Sequence, residues 1–376
     1  MQTLDEALAS LSPSLRERLA HGAFDPAALR CWAAEIATDR EGHNRLSDVT
    51  PPAAGDIGEL PAEGTEERAR LVALGEASLR RGEVALVVLA GGMATRMGGV
   101  VKALVEALPG RTFLDLRVGE REHTSRTYGK ELPLWLMTSE ATEKPIRDAL
   151  GLRAVGDAIA VFPQSVSLRL TRDGALYRDA KGEPSLYPTG HGDVPESLRR
   201  SGLLDRFRAR GGRYVWIANL DNLGATVDAL VLGWHIDRGA ALTVEVVDKA
   251  GDKGGIPVRY RDKPIICEDF RLPTGFDATR VPVFNTNTFL ANADAIAGYD
   301  APFTYCVVEK KVDGNEVVQR ERLLGELTFH LDTRFVRVPR TGAAARFLPV
   351  KDPDELARRR PDLEVVCRAR GMLGGS

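Results

Sequence analysis

The run Val84-Ala-Leu-Val-Val-Leu-Ala90 is apolar throughout and then breaks at Gly91-Gly92. A strand without polar alternation suits burial on both faces, as in the interior of a helix-covered parallel sheet. The two glycines make a turn that a side chain would block. The loop after them ends in a cation, Lys102. A buried strand, a glycine turn with exposed backbone N–H groups and then a lysine together suit phosphate binding. The stretch contains neither Gly-Lys-Ser/Thr nor G-x-G-x-x-G, so neither of those nucleotide loops is present. On pattern alone the turn serves equally well as a plain βα connection.

The chain beyond residue 130 fixes the fold class. Short apolar runs at Leu132–Thr138, Ala158–Phe162, Tyr214–Asn219 and Ala241–Val247 alternate with helical patterns over Glu143–Leu150 and Glu196–Arg210. This βαβα order predicts an α/β protein with a mostly parallel sheet. Such sheets bind ligands at the carboxyl ends of their strands. Gly91 and Asp221 both sit at such ends and can share one crevice. Before residue 83 the pattern is helical. Leu4, Leu8, Leu11, Leu15 and Leu19 step by three or four, and Glu66–Arg81 repeats that spacing. Val49 to Gly58, rich in Pro and Gly, reads as a linker. After residue 250 hairpin-like pieces are expected at Ile256–Ile266 and Thr304–Val318, and Arg358-Arg-Arg-Pro as a solvated helix end.

Composition excludes several classes. A net charge of −2 provides no global field for nucleic acid or an anionic membrane. The apolar runs are too short to span a bilayer. The first residues have neither the basic start nor the apolar core of a signal peptide, so a cytoplasmic protein is expected. Cys31, Cys267, Cys306 and Cys367 lie far apart. That argues against a zinc site or a disulfide framework and predicts four buried free thiols.

Several polar residues could carry chemistry. Asp221 suits a magnesium ion that takes one carboxylate and completes its shell with water and substrate phosphate. It equally suits a helix N-cap. His191 sits between glycines in a loop, where close approach of a ligand and plain solvent exposure are both open. Asn285 and Asn287 follow a strand and could hydrogen-bond sugar hydroxyls, or simply form a turn. Gln164 could read a base edge or occupy a turn. Lys351 follows apolar residues that would hold its stem, as they would for a snorkelling surface lysine.

Five stretches, in this order, resemble the eukaryotic-type UTP–glucose-1-phosphate uridylyltransferase family. They are Tyr187-Pro-Thr-Gly-His-Gly-Asp193, Ser201-Gly-Leu-Leu-Asp205, Asn219-Leu-Asp-Asn-Leu-Gly-Ala-Thr-Val-Asp228, Phe284-Asn-Thr-Asn287 and Arg346-Phe-Leu-Pro-Val-Lys351. The resemblance covers about residues 83 to 355. It implies a Rossmann-like, GT-A-like nucleotide-diphospho-sugar transferase: a mixed sheet covered by helices, with a helical N-terminal region. The implied division is 1–82 helical, 83–345 catalytic, and 346–376 a short segment carrying Lys351.

The implied reaction joins UTP and glucose 1-phosphate into UDP-glucose and pyrophosphate, with Mg²⁺ as cofactor. By position, Leu89, Ala90, Gly91 and Gly92 would lie against the nucleotide, with Lys102 on its phosphates. Gln164 and Gly190 would contact uracil. His191, Asn219, Gly255, Asn285 and Asn287 would surround the sugar. Asp221 would hold the metal, and Lys351 would touch the phosphates during transfer. The loop departs from the family in having Ala94 where glycine is usual, and in being shorter and without a proline before Lys102. The chain ends about 25 residues after Lys351. The family's C-terminal β-helix is therefore expected to be absent, and a monomer or dimer is expected. The alternatives are a uridylyltransferase of different or broad sugar choice, or a catalytically silent nucleotide-sugar sensor.

Overall fold

The computed structural model describes residues 3–36, 44–252, 254–301 and 304–374. Its central sheet has eight strands: β1 (Ile57–Glu59), β2 (Val84–Leu89), β3 (Leu134–Thr138), β4 (Ile159–Pro163), β5 (Tyr214–Asn219), β6 (Leu242–Asp248), β7 (Val283–Asn292) and β8 (Thr333–Arg337). Their spatial order is β1-β8-β6-β7-β5-β2-β3-β4. Neighbours run parallel except at β7, which is antiparallel to β5 and β6. The mixed α/β sheet of the sequence reading is therefore present.

The apolar run of β2 follows from two cores. Leu86 and Val88 point into one, among Leu71, Phe113, Leu116, Leu232 and Leu363. Ala85 and Val87 point into the other, among Trp135, Leu198, Phe207 and Phe289. Successive side chains of a strand face opposite sides, so burial on both sides demands an unbroken apolar sequence. The reversed direction of β7 matters for the site. Its first residues lie beside the last residues of its parallel neighbours, with Asn285 opposite Val246.

Several expectations need correction. The leucine repeat from Leu4 to Leu19 spans two helices, Leu4–Ala9 and Pro13–His21, and a third, Pro26–Ile36, follows. Pro13 cannot continue a helix but suits a first turn, and Ser12 caps the second helix by accepting from the Leu15 N–H. The expected linker supplies β1 and a strand, Val49–Thr50, which pairs with Ile256–Tyr260. The helix expected over 196–210 is two, Val194–Ser201 and Leu203–Ala209, joined at Gly202 in the left-handed region. Arg358 lies inside a helix, Pro353–Ala369, rather than at its end. Cys31 is exposed, while the other three thiols are buried. Both hairpins form, as Ile256–Tyr260 with Lys263–Cys267 and Cys306–Val312 with Asn315–Glu321. Among the described residues no helix is long and apolar enough to cross a membrane.

At the amino end of β6, away from the carboxyl ends of the parallel strands, His235 is almost fully buried. Its ring nitrogens meet Thr243 Oγ1 at 2.8 Å and Asn292 Oδ1 at 3.0 Å. Burial pushes its pKa down to about 4. The unfolded chain therefore takes up a proton first as pH falls, so stability is lost from pH 6.5 towards 4. Urea unfolding at pH 7 and 4.5 should show a loss on the order of 2 kcal/mol from this group. His235→Gln should reduce the difference between the two pH values. An unchanged pH dependence in that variant would remove His235 from the account.

Candidate active site

Strands β2, β3, β4 and β5 end around one cleft of about 780 Å³. Leu89, Gly91, Gly92, Lys102, Gln164, Gly190, His191, Asn219 and Asp221 all line it. Residues scattered over 130 positions of sequence thus converge because their strands are parallel neighbours. A second depression of about 800 Å³, bordered by Tyr128, Asp228, Arg340 and Arg370, holds none of them.

The two glycines of the turn have different reasons to be there. A Cβ on Gly91 would lie 2.5 Å from Gln164 Nε2 and 3.3 Å from the Ser139 backbone nitrogen. A Cβ on Gly92 would meet nothing within 4 Å. Gly91 therefore makes room for a side chain of the protein, whereas Gly92 borders open cleft. Ser139 begins the helix Glu140–Leu150, whose N-terminal end borders the cleft and favours negative charge there. Beyond the turn, Met93–Ala94 pairs with Val100–Val101 as a small hairpin. Ala94 is buried in it, and the Lys102 N–H donates to Gly92 O at 3.2 Å. The hairpin thereby returns Lys102 to the turn.

Lys102 Nζ forms an ion pair with Asp221. Both side chains are mostly covered. The capping role left open for Asp221 belongs instead to Asp228, whose Oδ1 accepts from Val231 N at 3.0 Å at the start of Ala229–Arg238. Among the described residues no group of three or more His, Cys, Asp or Glu side chains could hold a metal ion.

His191 is no solvent-facing loop residue. Its Nδ1 accepts from the Leu324 N–H at 2.9 Å, and burial pushes its pKa down to about 4. A neutral ring accepting at Nδ1 carries its proton on Nε2, so it presents a donor. The loop is held by Asp193, which accepts from Ser165 N at 3.0 Å and pairs with Arg322. Burial raises the pKa of that carboxyl to about 6. Gly190 has φ of 108°, and a Cβ there would sit 2.4 Å from Arg322 O.

The amide residues gather at the same end. Asn287, at φ 58°, donates from Nδ2 to Asn219 Oδ1 at 2.9 Å. Its backbone N–H donates to Asn285 Oδ1 at 2.9 Å, and Asn285 N donates to Gly255 O at the same distance. Lys351 stands apart. It is exposed and outside the cleft wall, and its backbone N–H donates to Glu355 Oε2 at 2.8 Å.

Sequence reasoning passed over three groups here. Glu268 approaches Gly255 so closely that a Cβ there would be 2.7 Å from its Oε1, and burial raises its pKa. Arg169, Lys310, Gln319 and Glu321 wall the cleft from the hairpin side, with Arg169 Nε donating to Gln319 Oε1 at 3.0 Å. Arg117, Glu120 and Asn222 lie beneath the Asp221 loop. Only Asn222, inside the Asn219–Asp228 stretch, carried a signal in the sequence.

The cleft lies at the carboxyl ends of parallel strands in a helix-covered α/β sheet, the place where such folds bind ligands. The family described as UTP--glucose-1-phosphate uridylyltransferase matches residues 47–366, and the chain belongs to it. It is 34% identical over 302 residues to the UTP--glucose-1-phosphate uridylyltransferase of Saccharomyces cerevisiae, covering 75% of this chain and 60% of that one. The chain thus spans about three fifths of the length of the first curated relatives it matches. Its fold is similar to the uridine diphosphate N-acetylglucosamine pyrophosphorylase of Trypanosoma brucei, with a TM-score of 0.76 and 20% identity over 95% of this chain and 82% of that one. It is also similar to the UDP-glucose pyrophosphorylase of Leishmania major, known in open and closed structures, with a TM-score of 0.67 and 22% identity over 92% and 79%.

The glycine pair generates a direct test. Gly91→Ala should cost about 1–2 kcal/mol in urea unfolding, as overpacking does, whereas Gly92→Ala should unfold like wild type. Equal stability of the two variants would contradict the contact drawn between Gly91 and Gln164.

Proposed function

We propose that this chain is a uridylyltransferase that makes UDP-glucose and pyrophosphate from UTP and glucose 1-phosphate. The observation that carries the reading is the convergence of the glycine turn, Lys102, Asp221, Gln164 and His191 on one cleft. Family membership supports it. The uracil edge meets the Gln164 amide and the Gly190 backbone, which offer one donor and one acceptor each way. The triphosphate lies over Gly92 and the N-terminal end of Glu140–Leu150. The sugar faces His191, Asn219, Asn285, Asn287, Gly255 and Glu268, whose carboxyl and amides exchange hydrogen bonds with hydroxyls.

An ionised oxygen of the sugar phosphate attacks the α-phosphorus of UTP in line. The new P–O bond forms as the bond to the β-phosphate bridge breaks, and pyrophosphate leaves. The attacking oxygen is already deprotonated, so no general base is needed. The protein supplies placement and fixed positive charge. One carboxylate beside a phosphate cradle fits Mg²⁺, which binds through few protein oxygens and takes the rest from phosphate and water. Asp221 would hold it, and the ion would add positive charge at the phosphates. Arrival of phosphate and metal requires Lys102 and Asp221 to exchange each other for those partners. His191, neutral at working pH, donates from Nε2 without adding charge.

Lys351 is exposed and outside the cleft wall, so in this reading it reaches the phosphates only when its segment closes over the cleft. A contact made only on closure acts on turnover more than on nucleotide binding.

Pyrophosphate release from UTP, Mg²⁺ and a panel of sugar 1-phosphates, with ATP as competing nucleotide, tests the reading. No release with any sugar phosphate, or equal use of ATP and UTP, would overturn it. Asp221→Asn should stay folded and lose about a hundredfold or more in turnover, the scale of a metal's charge stabilisation. Near-wild-type rates at limiting Mg²⁺ would remove Asp221 as the metal ligand. Lys351→Met should lose roughly a hundredfold in kcat while UTP affinity, measured calorimetrically without sugar phosphate, falls far less. Parallel collapse of both would make Lys351 a ground-state anchor, and full activity a surface lysine.

A further inference from the structure

We propose that Arg117 is the positioning residue that fixes Asp221 at the cleft, an inference that rests on the metal-holding role proposed for Asp221. Arg117 belongs to the helix Phe113–Tyr128, whose start is set by reciprocal capping between Thr112 and Asp115. Its side chain is fully buried. Nη2 donates to the carbonyls of Asn219 and Asn222, each at 2.7 Å. Nη1 donates to Ala225 O at 3.3 Å and to Glu120 Oε2 at 2.7 Å. The other oxygen of Glu120 accepts from the Val227 N–H at 2.9 Å.

The carbonyls of Asn219 and Asn222 bracket Asp221 on either side in sequence. Four backbone groups of the 219–227 loop therefore end on one buried ion pair, which leaves the Asp221 carboxylate itself to face the cleft. An irregular buried loop has no ladder to satisfy its carbonyls, so they must find side chains. A planar guanidinium can serve three carbonyls and a carboxylate at once, whereas an ammonium is a single point with three donors. Asn222 extends the arrangement. Its Nδ2 donates to Arg346 O at 3.1 Å and its Oδ1 accepts from Leu348 N at 2.8 Å. The segment leading to Lys351 is thereby fastened to the loop that carries Asp221. A displacement at Arg117 reaches both charged groups.

The test compares Arg117→Lys with His235→Gln, a buried polar change at the other end of the sheet. Mn²⁺ affinity in the presence of UTP, read by electron paramagnetic resonance, is set beside urea stability. Arg117→Lys should bind Mn²⁺ about tenfold or more weakly, the usual effect of losing a group that orients a metal ligand, and should need correspondingly more Mg²⁺ for half-maximal pyrophosphate release. UTP affinity without metal should change little, and His235→Gln should keep wild-type Mn²⁺ affinity at a similar loss of stability. Wild-type Mn²⁺ affinity in a folded Arg117→Lys, or equal weakening in both variants, overturns the proposal. Should Arg117→Lys not fold, hydrogen exchange in the wild-type protein decides. The Val227 amide, which donates to Glu120, should exchange slowly, and exchange as fast as in an open surface loop overturns it. A wild-type protein that binds no Mn²⁺ with UTP would instead overturn the metal reading, while slow exchange at the Val227 amide would still show its contact with Glu120.

Discussion

A carboxylate and an ammonium, Asp221 and Lys102, face each other at the end of adjacent strands, and the surrounding structure exists to keep them there. Neither lies in the central sheet or in an α-helix. Lys102 is returned to the turn by a two-by-two hairpin, and Asp221 is carried on a loop whose backbone is tied down from below by Arg117 and Glu120. The Arg117–Glu120 pair beneath is almost fully buried, and breaking such a pair by removing one partner typically costs about 3–5 kcal/mol, comparable with much of the stability of a domain. An arrangement that costly to disturb is a firm base for two charges that must be near each other yet able to change partners.

The sheet imposes the second constraint. Because β2, β3, β4 and β5 run parallel, their exits share one edge, and the residues that line the cleft collect there. Because β7 alone runs the other way, its opening residues meet that same edge. Asn285 and Asn287 can therefore face Asn219 across the strand pair, and a single antiparallel strand completes a cleft that parallel strands could only begin.

Much of this could be read from residues alone where burial leaves a pattern. β2 and β5 were legible because strands covered on both faces must be apolar at every position. β1 was not, since three residues at a sheet edge leave no periodicity, and Pro and Gly around it look like a linker. The N-terminal leucines kept one helical spacing across Pro13, so the break between the first two helices left no gap in the pattern. The cleft residues that stand at strand ends or in specific stretches were found. Arg117 and Glu268 were not, because their roles arise from what the fold brings beside them, and a lone Arg or Glu in a helix or loop has the look of a surface charge. Lys351 shows the converse: its stretch is distinctive in the sequence, while its side chain stands outside the cleft wall.

The N-terminal helices bear on the cleft from behind. Leu11, Leu15, Leu19, Leu29 and Trp32 pack on Val166 and Leu168, of the strand Val166–Leu168 that pairs with Leu186–Pro188, and on Val307 and Val318 of the hairpin that walls the cleft. Arg18 and His21 reach across to Glu140 and Glu143 on the opposite rim. The layer is in effect a buttress spanning both banks of the opening. Packing holds those walls from outside, so leucines that never line the cleft help to keep its shape.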